Sequence, residues 1–182
     1  TEPIAVALCA ARASEELGMT PERLDVAVSA NLLKNGMGVM VPGTGEMGLG
    51  VAAAAGALGG KSALGLECLR DISEETAAKA RDMTAGDAVN LHLADNDRLL
   101  YRLVTAYAGN ESAAAELSDS HDNITRVWKN GTLTFEKECS DNGTEGADAP
   151  WPLTLAKIYE FAVTAPLEEI SFILEAARMN RR

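Results

Sequence analysis

The chain has 182 residues, 47% of them hydrophobic and only 4% aromatic, which suits one well-packed domain or two small ones with a core of Ala, Val, Leu, Ile and Met. Its net charge of -11, from 16 basic and 27 acidic residues, argues against a nucleic-acid surface, and no basic cluster precedes Arg178, Arg181 and Arg182. No apolar run reaches the roughly 18 residues of a membrane span, and no export signal opens the chain.

Residues 3–17 read as a helix, with Pro3 in the first turn and Gly18 as the stop. Leu24 to Leu32 alternates as a strand, and Gly36 to Val41 suggests a second short strand or a loop passing under the first. Met47 to Leu58 is an alanine- and glycine-rich helix ended by Gly59-Gly60. Ser62 caps a further helix through Leu69, and Ser73 caps one running to about Met83. Beyond Asp87 the pattern turns to strands at Val89–Ala94, Leu100–Ala108, Glu111–Leu117, Ile124–Lys129 and Thr132–Glu138. Asn130-Gly131 between the last two is the best hairpin signal. Residues 140–150 are polar and rich in Gly and Asp. Helices follow at Leu153–Phe161 and Leu167–Met179, broken at Ala165-Pro166. The order predicts an α+β fold, with antiparallel strands of a mixed or antiparallel sheet packed with Ala/Gly-rich helices. The expected division is an α+β domain over 1–150, strand-rich in its second half, and a helical segment starting at 151–182. The chain opens at Thr1 inside a helix and closes at Arg182 without a stop signal, so it reads as a piece of a longer polypeptide.

Gly43, Gly45 and Gly48 spell G-x-G-x-x-G, which invites a dinucleotide reading. That reading needs an acidic residue closing a second strand about 20 residues on, and the region around Glu67 looks helical instead. The triplet reads better as a functional loop whose amides can hold a small anion. Ser118 to Asn123 offers Ser, His and Asp together. Neighbours on one turn cannot converge as a triad, so a polar turn is expected, with His121 of interest and His92 on the surface. Cys9, Cys68 and Cys139 form no CxxC, so neither a disulfide framework nor a metal knuckle is indicated. Cys9 and Cys68 look like small buried hydrophobes, Cys139 like an exposed thiol, and a reducing cytoplasm is the expected compartment.

Thr1-Glu2-Pro3-Ile4-Ala5, Ser29 to Gly36, Val41-Pro42-Gly43-Thr44-Gly45, the Ala/Gly run to Gly60, Ser120 to Ile124 and Glu175 to Asn180 resemble, in order, the L-cysteine desulfidase family related to the L-serine dehydratase α chain. The resemblance implies an iron–sulfur lyase with a 4Fe–4S cluster and no pyridoxal phosphate. The implied reaction is α,β-elimination of L-cysteine to hydrogen sulfide, pyruvate and ammonia, or the corresponding reaction of L-serine. It implies substrate-binding roles for Asn31, Lys34, Asn35, Gly43, Thr44, Gly45 and His121, and leaves the catalytic base unassigned. The family's cluster cysteines would lie before Thr1 and after Arg182, so no cofactor or metal ligand is expected within this chain, nor activity from it alone. The expected partner is a small amino acid, with a homodimer as a further option and neither nucleic acid nor membrane involved. The competing reading is a non-catalytic small-molecule binding module of the same fold.

Overall fold

The first helix, α1 (Glu2–Leu17), starts with Pro3 in its first turn and ends at Gly18 (φ 75°), whose N–H donates to the Ser14 carbonyl. Ala5 to Ala11 are all buried, so this helix has apolar neighbours on every side. The computed structural model describes residues 1–137 and 154–181. Two compact units result, Thr1–Glu138 and Cys139–Arg182. The boundary expected at residue 150 and the exposed thiol expected at Cys139 lie outside the described residues.

Strand β1 covers Arg23–Val28. The expected strand to Leu32 stops early because Ser29 N-caps α2 (Ala30–Gly36), which buries Leu32 and Gly36 four residues apart. Leu32 fits both the alternation from Leu24 and this helical spacing. Gly36 to Val41 forms no second strand; Met40 meets Met47 in an isolated antiparallel bridge. Helix α3 (Leu49–Gly59) follows, then a 3-10 segment at Ser62–Glu67 in place of the expected α-helix, kinked at Gly65 (φ 56°, ψ -129°). Helix α4 (Glu74–Ala85) is N-capped by Ser73, which accepts from the Thr76 N–H at 3.1 Å.

The strands β2 (Val89–Leu93), β3 (Tyr101–Ala108), β4 (Glu111–Ser118), β5 (Ile124–Lys129) and β6 (Thr132–Glu136) join β1 in a sheet of order β2-β1-β3-β4-β5-β6. β1 and β2 are parallel, linked by the crossover through α2, α3 and α4, and the other pairs are antiparallel. The fold is α+β with a mixed sheet. On β3, Arg102, Val104, Ala106 and Ala108 are buried, while Tyr101, Leu103, Thr105 and Tyr107 form a half-covered face.

The two central helices touch backbone to backbone. A Cβ on Gly56 would run into the Ala7 carbonyl, and one on Gly60 would lie 2.9 Å from Ala11 Cβ. The second unit holds α5 (Leu155–Thr164), α6 (Leu167–Ile170) and α7 (Phe172–Met179), with the expected break at Ala165-Pro166. Its Leu155, Phe161, Leu167, Phe172 and Leu174 side chains are exposed. No helix among the described residues is long and apolar enough to cross a membrane.

Candidate functional site

Strand directions bring the ends of four strands to one end of the sheet. β1 finishes there and passes at Ser29 into α2; β2 finishes there and enters residues 94–100; β3 begins and β4 ends there. Ser29 ties them together. Its Oγ donates to the Leu99 carbonyl at 2.9 Å, and its N–H donates to the Tyr101 carbonyl at 2.9 Å. The turn from Ser118 to Asn123 is anchored at the same end, because the Asp119 N–H donates to the Leu100 carbonyl at 3.1 Å. Glu2, in the first turn of α1, is within electrostatic reach of His121, and its carboxyl is held below the usual range chiefly by its own backbone hydrogen bond.

A cleft of about 220 Å³ opens here between Ala30, Asn31, Asn96, Asp97, Arg98 and Leu99. Arg98 Nη1 donates to Ser118 Oγ at 2.9 Å, and its guanidinium lies 5.9 Å from the Tyr101 ring centroid. One carboxylate, one guanidinium and the Asn31 and Asn96 amides around a small space suit a zwitterion. Asn31 faces this cleft; Lys34 and Asn35 stand exposed further along α2.

The glycine loop is built differently from expectation. Gly43 and Gly45 have φ of 77° and 72°, and Gly48 (φ 105°) caps α3, so the loop needs glycine for its own shape. Thr44 is buried and its Oγ1 donates to the Val41 carbonyl at 2.9 Å, while the Glu46 N–H donates to Oγ1 at 3.2 Å. The hydroxyl therefore holds the turn and is not free for the substrate-binding role that the resemblance implies for Thr44. Arg81 of α4 fixes the loop from outside, its Nη1 donating to the Thr44 carbonyl at 2.6 Å. The Gly43 and Gly45 N–H groups have no partner among the described residues and are what the loop has to offer an anion. A helix, not a strand, precedes the G-x-G-x-x-G, which removes the first requirement of a dinucleotide fingerprint.

The Ser118–Asn123 segment is the self-bonded turn that its composition suggests. Ser120 Oγ donates to Asp122 Oδ1 at 2.8 Å, and Asn123 Nδ2 donates to the Ser118 carbonyl at 3.0 Å. His121 is half-buried within it and its Nδ1 has no partner. His92 is exposed, as expected, and pairs with Asp25 at 3.0 Å.

Two polar residues escaped the sequence reading. Arg102 is fully buried, and its Nη2 donates to the Ser120 carbonyl. Its signal was available: in the alternation of β3 it shares a phase with Val104, Ala106 and Ala108, where a charge is out of place. Glu116, on the opposite sheet face, accepts from Thr125 Oγ1 at 2.7 Å and from the Tyr101 hydroxyl at 3.2 Å. Burial, reinforced by Glu116, pushes the Tyr101 phenol up to about 12.

Cys9 and Cys68 do not fit cluster ligands. Cys9 is fully buried, its thiol donates to the Ala115 carbonyl at 3.0 Å, and burial pushes it up to about 12. Burial pushes Cys68 up to about 11. Among the described residues no group of three or more His, Cys, Asp or Glu side chains could hold a metal ion.

The chain is similar to UPF0597 proteins. It is 49% identical over 180 residues to one from Oleidesulfovibrio alaskensis, a match covering 99% of this chain and 42% of that protein. The figures are 45% over 181 residues for the Dichelobacter nodosus protein and 43% over 180 for the Chromobacterium violaceum one, each again covering 99% of this chain and 42% of the relative. The chain thus spans well under half the length of these relatives. No family model matches it, and no solved structure does.

Proposed function

We propose that this chain forms one wall of the amino-acid site of an iron–sulfur lyase. The lyase eliminates across the α and β carbons of L-cysteine to give hydrogen sulfide, pyruvate and ammonia; L-serine is the alternative substrate. One observation carries the reading: segments far apart in sequence that bear the resemblance meet at a single end of the fold. They are the start of α1 with His121, linked by Glu2, and Asn31 of α2 beside residues 96–99. On this reading the cleft beside Asn31 receives the zwitterion, with Arg98 facing its carboxylate and Asp97 its ammonium. The amides of Gly43 and Gly45 are a second set of anion donors. His121, half-buried and with its enclosed Nδ1 lacking a partner among the described residues, is the residue assigned to exchange a proton.

The 4Fe–4S cluster implied by the resemblance would supply Lewis-acid activation of the leaving group. Cys9 and Cys68 do not suit it, so no step is assigned through it here. The test is an anaerobic assay of sulfide and pyruvate on the full-length protein with L-cysteine and L-serine in parallel. Equal yields of sulfide and pyruvate from cysteine are expected, and His121→Asn is expected to lower kcat about 100-fold or more. No pyruvate from either amino acid would overturn the lyase reading, and amino-acid binding without turnover would leave a binding module in its place.

A further inference from the structure

Arg102 is the largest side chain fully enclosed in the first unit. Nη2 donates to the Ser120 carbonyl, but Nε and Nη1 are buried and have no hydrogen-bond partner. A guanidinium does not shed its proton in a protein, so a positive charge stands among Val28 and Leu117, its cross-strand neighbours, and Cys9. Burial pulls its affinity for the proton down from the ordinary value, against the influence of Cys9 and Asp122.

Among the described residues no counter-charge is bonded to it. Asp122 is within electrostatic reach but is engaged with Ser120 Oγ, and Glu116 of the neighbouring strand turns to the other sheet face. Cys9 keeps its proton and gives it to the Ala115 carbonyl. Nearby features have the same preference for an anion. His121 Nδ1 is buried and unpartnered, and the first turn of α1 has no side-chain cap from Thr1. The Ser118–Asn123 turn bonds the guanidinium through the Ser120 carbonyl, and it includes Asp119 at φ 70°, a left-handed position that costs a non-glycine residue. A buried cation in this condition is costly, and both of its bidentate edges contain an unpaired nitrogen.

We propose that Arg102 is the receptor for a small carboxylate, bound edge-on to the guanidinium beside His121 once the Ser118–Asn123 turn lifts from it. A planar monoanion matches the fork geometry. A phosphate dianion would meet stronger repulsion from Asp122 than a monoanion does, with no second cation beside Arg102 among the described residues to offset it. This receptor is separate from the Asn31 cleft, where Arg98 faces the amino-acid carboxylate on the lyase reading, and it does not rest on that reading.

The test is thermal unfolding and calorimetric titration of the 182-residue chain with acetate, L-serine and phosphate, each against sodium chloride of equal ionic strength. Acetate and L-serine are expected to raise Tm saturably. Arg102→Lys keeps the charge but loses the fork, and should weaken binding about tenfold or more. Arg102→Met should abolish the response to acetate while raising the Tm of the anion-free protein, because it removes an unpaired buried charge. Insensitivity of the wild-type chain to both carboxylates overturns the proposal, as does an undiminished response in Arg102→Lys, or a response to phosphate alone. The Lys variant and the wild-type titration decide the matter even if the Met variant does not fold. A full-length protein that makes no pyruvate would sink the lyase reading and leave this titration unchanged.

Discussion

His92 Nε2 lies 3.0 Å from Asp25 Oδ2, and Asn90 Nδ2 donates to the other carboxylate oxygen at 2.7 Å. The hydrogen bond to Asp25 raises the His92 pKa; burial pushes Asp25 upward, but the bonds from His92 and Asn90 outweigh it and leave its pKa lowered. A raised histidine stabilises the fold fully below its unfolded value, near 6.5, and loses that contribution as pH rises through the folded value. A lowered aspartate contributes above about 3.9 and loses it as pH falls through the folded value. Both contributions are therefore present together between roughly pH 4 and 6.5. An NMR titration should place His92 above its ordinary value in the wild type and return it toward that value in Asp25→Asn; an unchanged midpoint would dissolve the pair. The helix contact gives a second residue-scale prediction. Gly56→Ala forces a methyl against the Ala7 carbonyl and should cost about 2–3 kcal/mol in urea unfolding. Gly38→Ala, with open space around it, should stay within about 0.5 kcal/mol.

Among the elements, the β5–β6 hairpin was the most legible. Asn130 (φ 50°) and Gly131 (φ 77°) both take the left-handed conformation that an Asn-Gly turn supplies, and Asn130 Oδ1 accepts from the Ser112 N–H at 2.8 Å. Gly131→Ala should destabilise the domain by about 1 kcal/mol. Ser73→Ala, which removes the α4 cap, should cost a similar ~1 kcal/mol; guanidinium melts of each variant check both figures. The elements that could be read from sequence were those whose ends are marked by local chemistry: Gly18 for α1, Ser73 for α4, Pro166 for the last break. The β1–α2 junction was not readable, because Leu32 satisfies two periods and only packing against the core decides between them. The loop before α3 was hard to read for a related reason. Its glycines serve backbone geometry that composition cannot distinguish from ligand binding, and the Thr44 hydroxyl closes its own turn, which only the folded loop reveals.

At the scale of the whole molecule, the site residues named from sequence were only loosely placed by it. That Asn31 would face a cleft with Asp97 and Arg98 depends on the parallel pairing of β1 with β2, which no local pattern announces. Arg102 was visible as a charge on an apolar phase, yet its meaning needed three dimensions. The second unit exposes Phe172, Ile173 and Leu174 on α7. Phe172→Ser with Leu174→Ser should therefore reduce binding of a hydrophobic dye to the chain, and unchanged fluorescence would show that these residues are covered. The sheet order also sets a sequence of events in time. β3 to β6 are neighbours along the chain and can zip together through short turns, whereas β1 must wait for a closure spanning the whole crossover to β2. The end of the sheet that holds Asn31 and Arg102 is completed only with that last closure. Pulse-labelling hydrogen exchange during refolding should find the β4–β5 amides protected before those of β1, so that the chain acquires its stability scaffold first and its binding end afterwards.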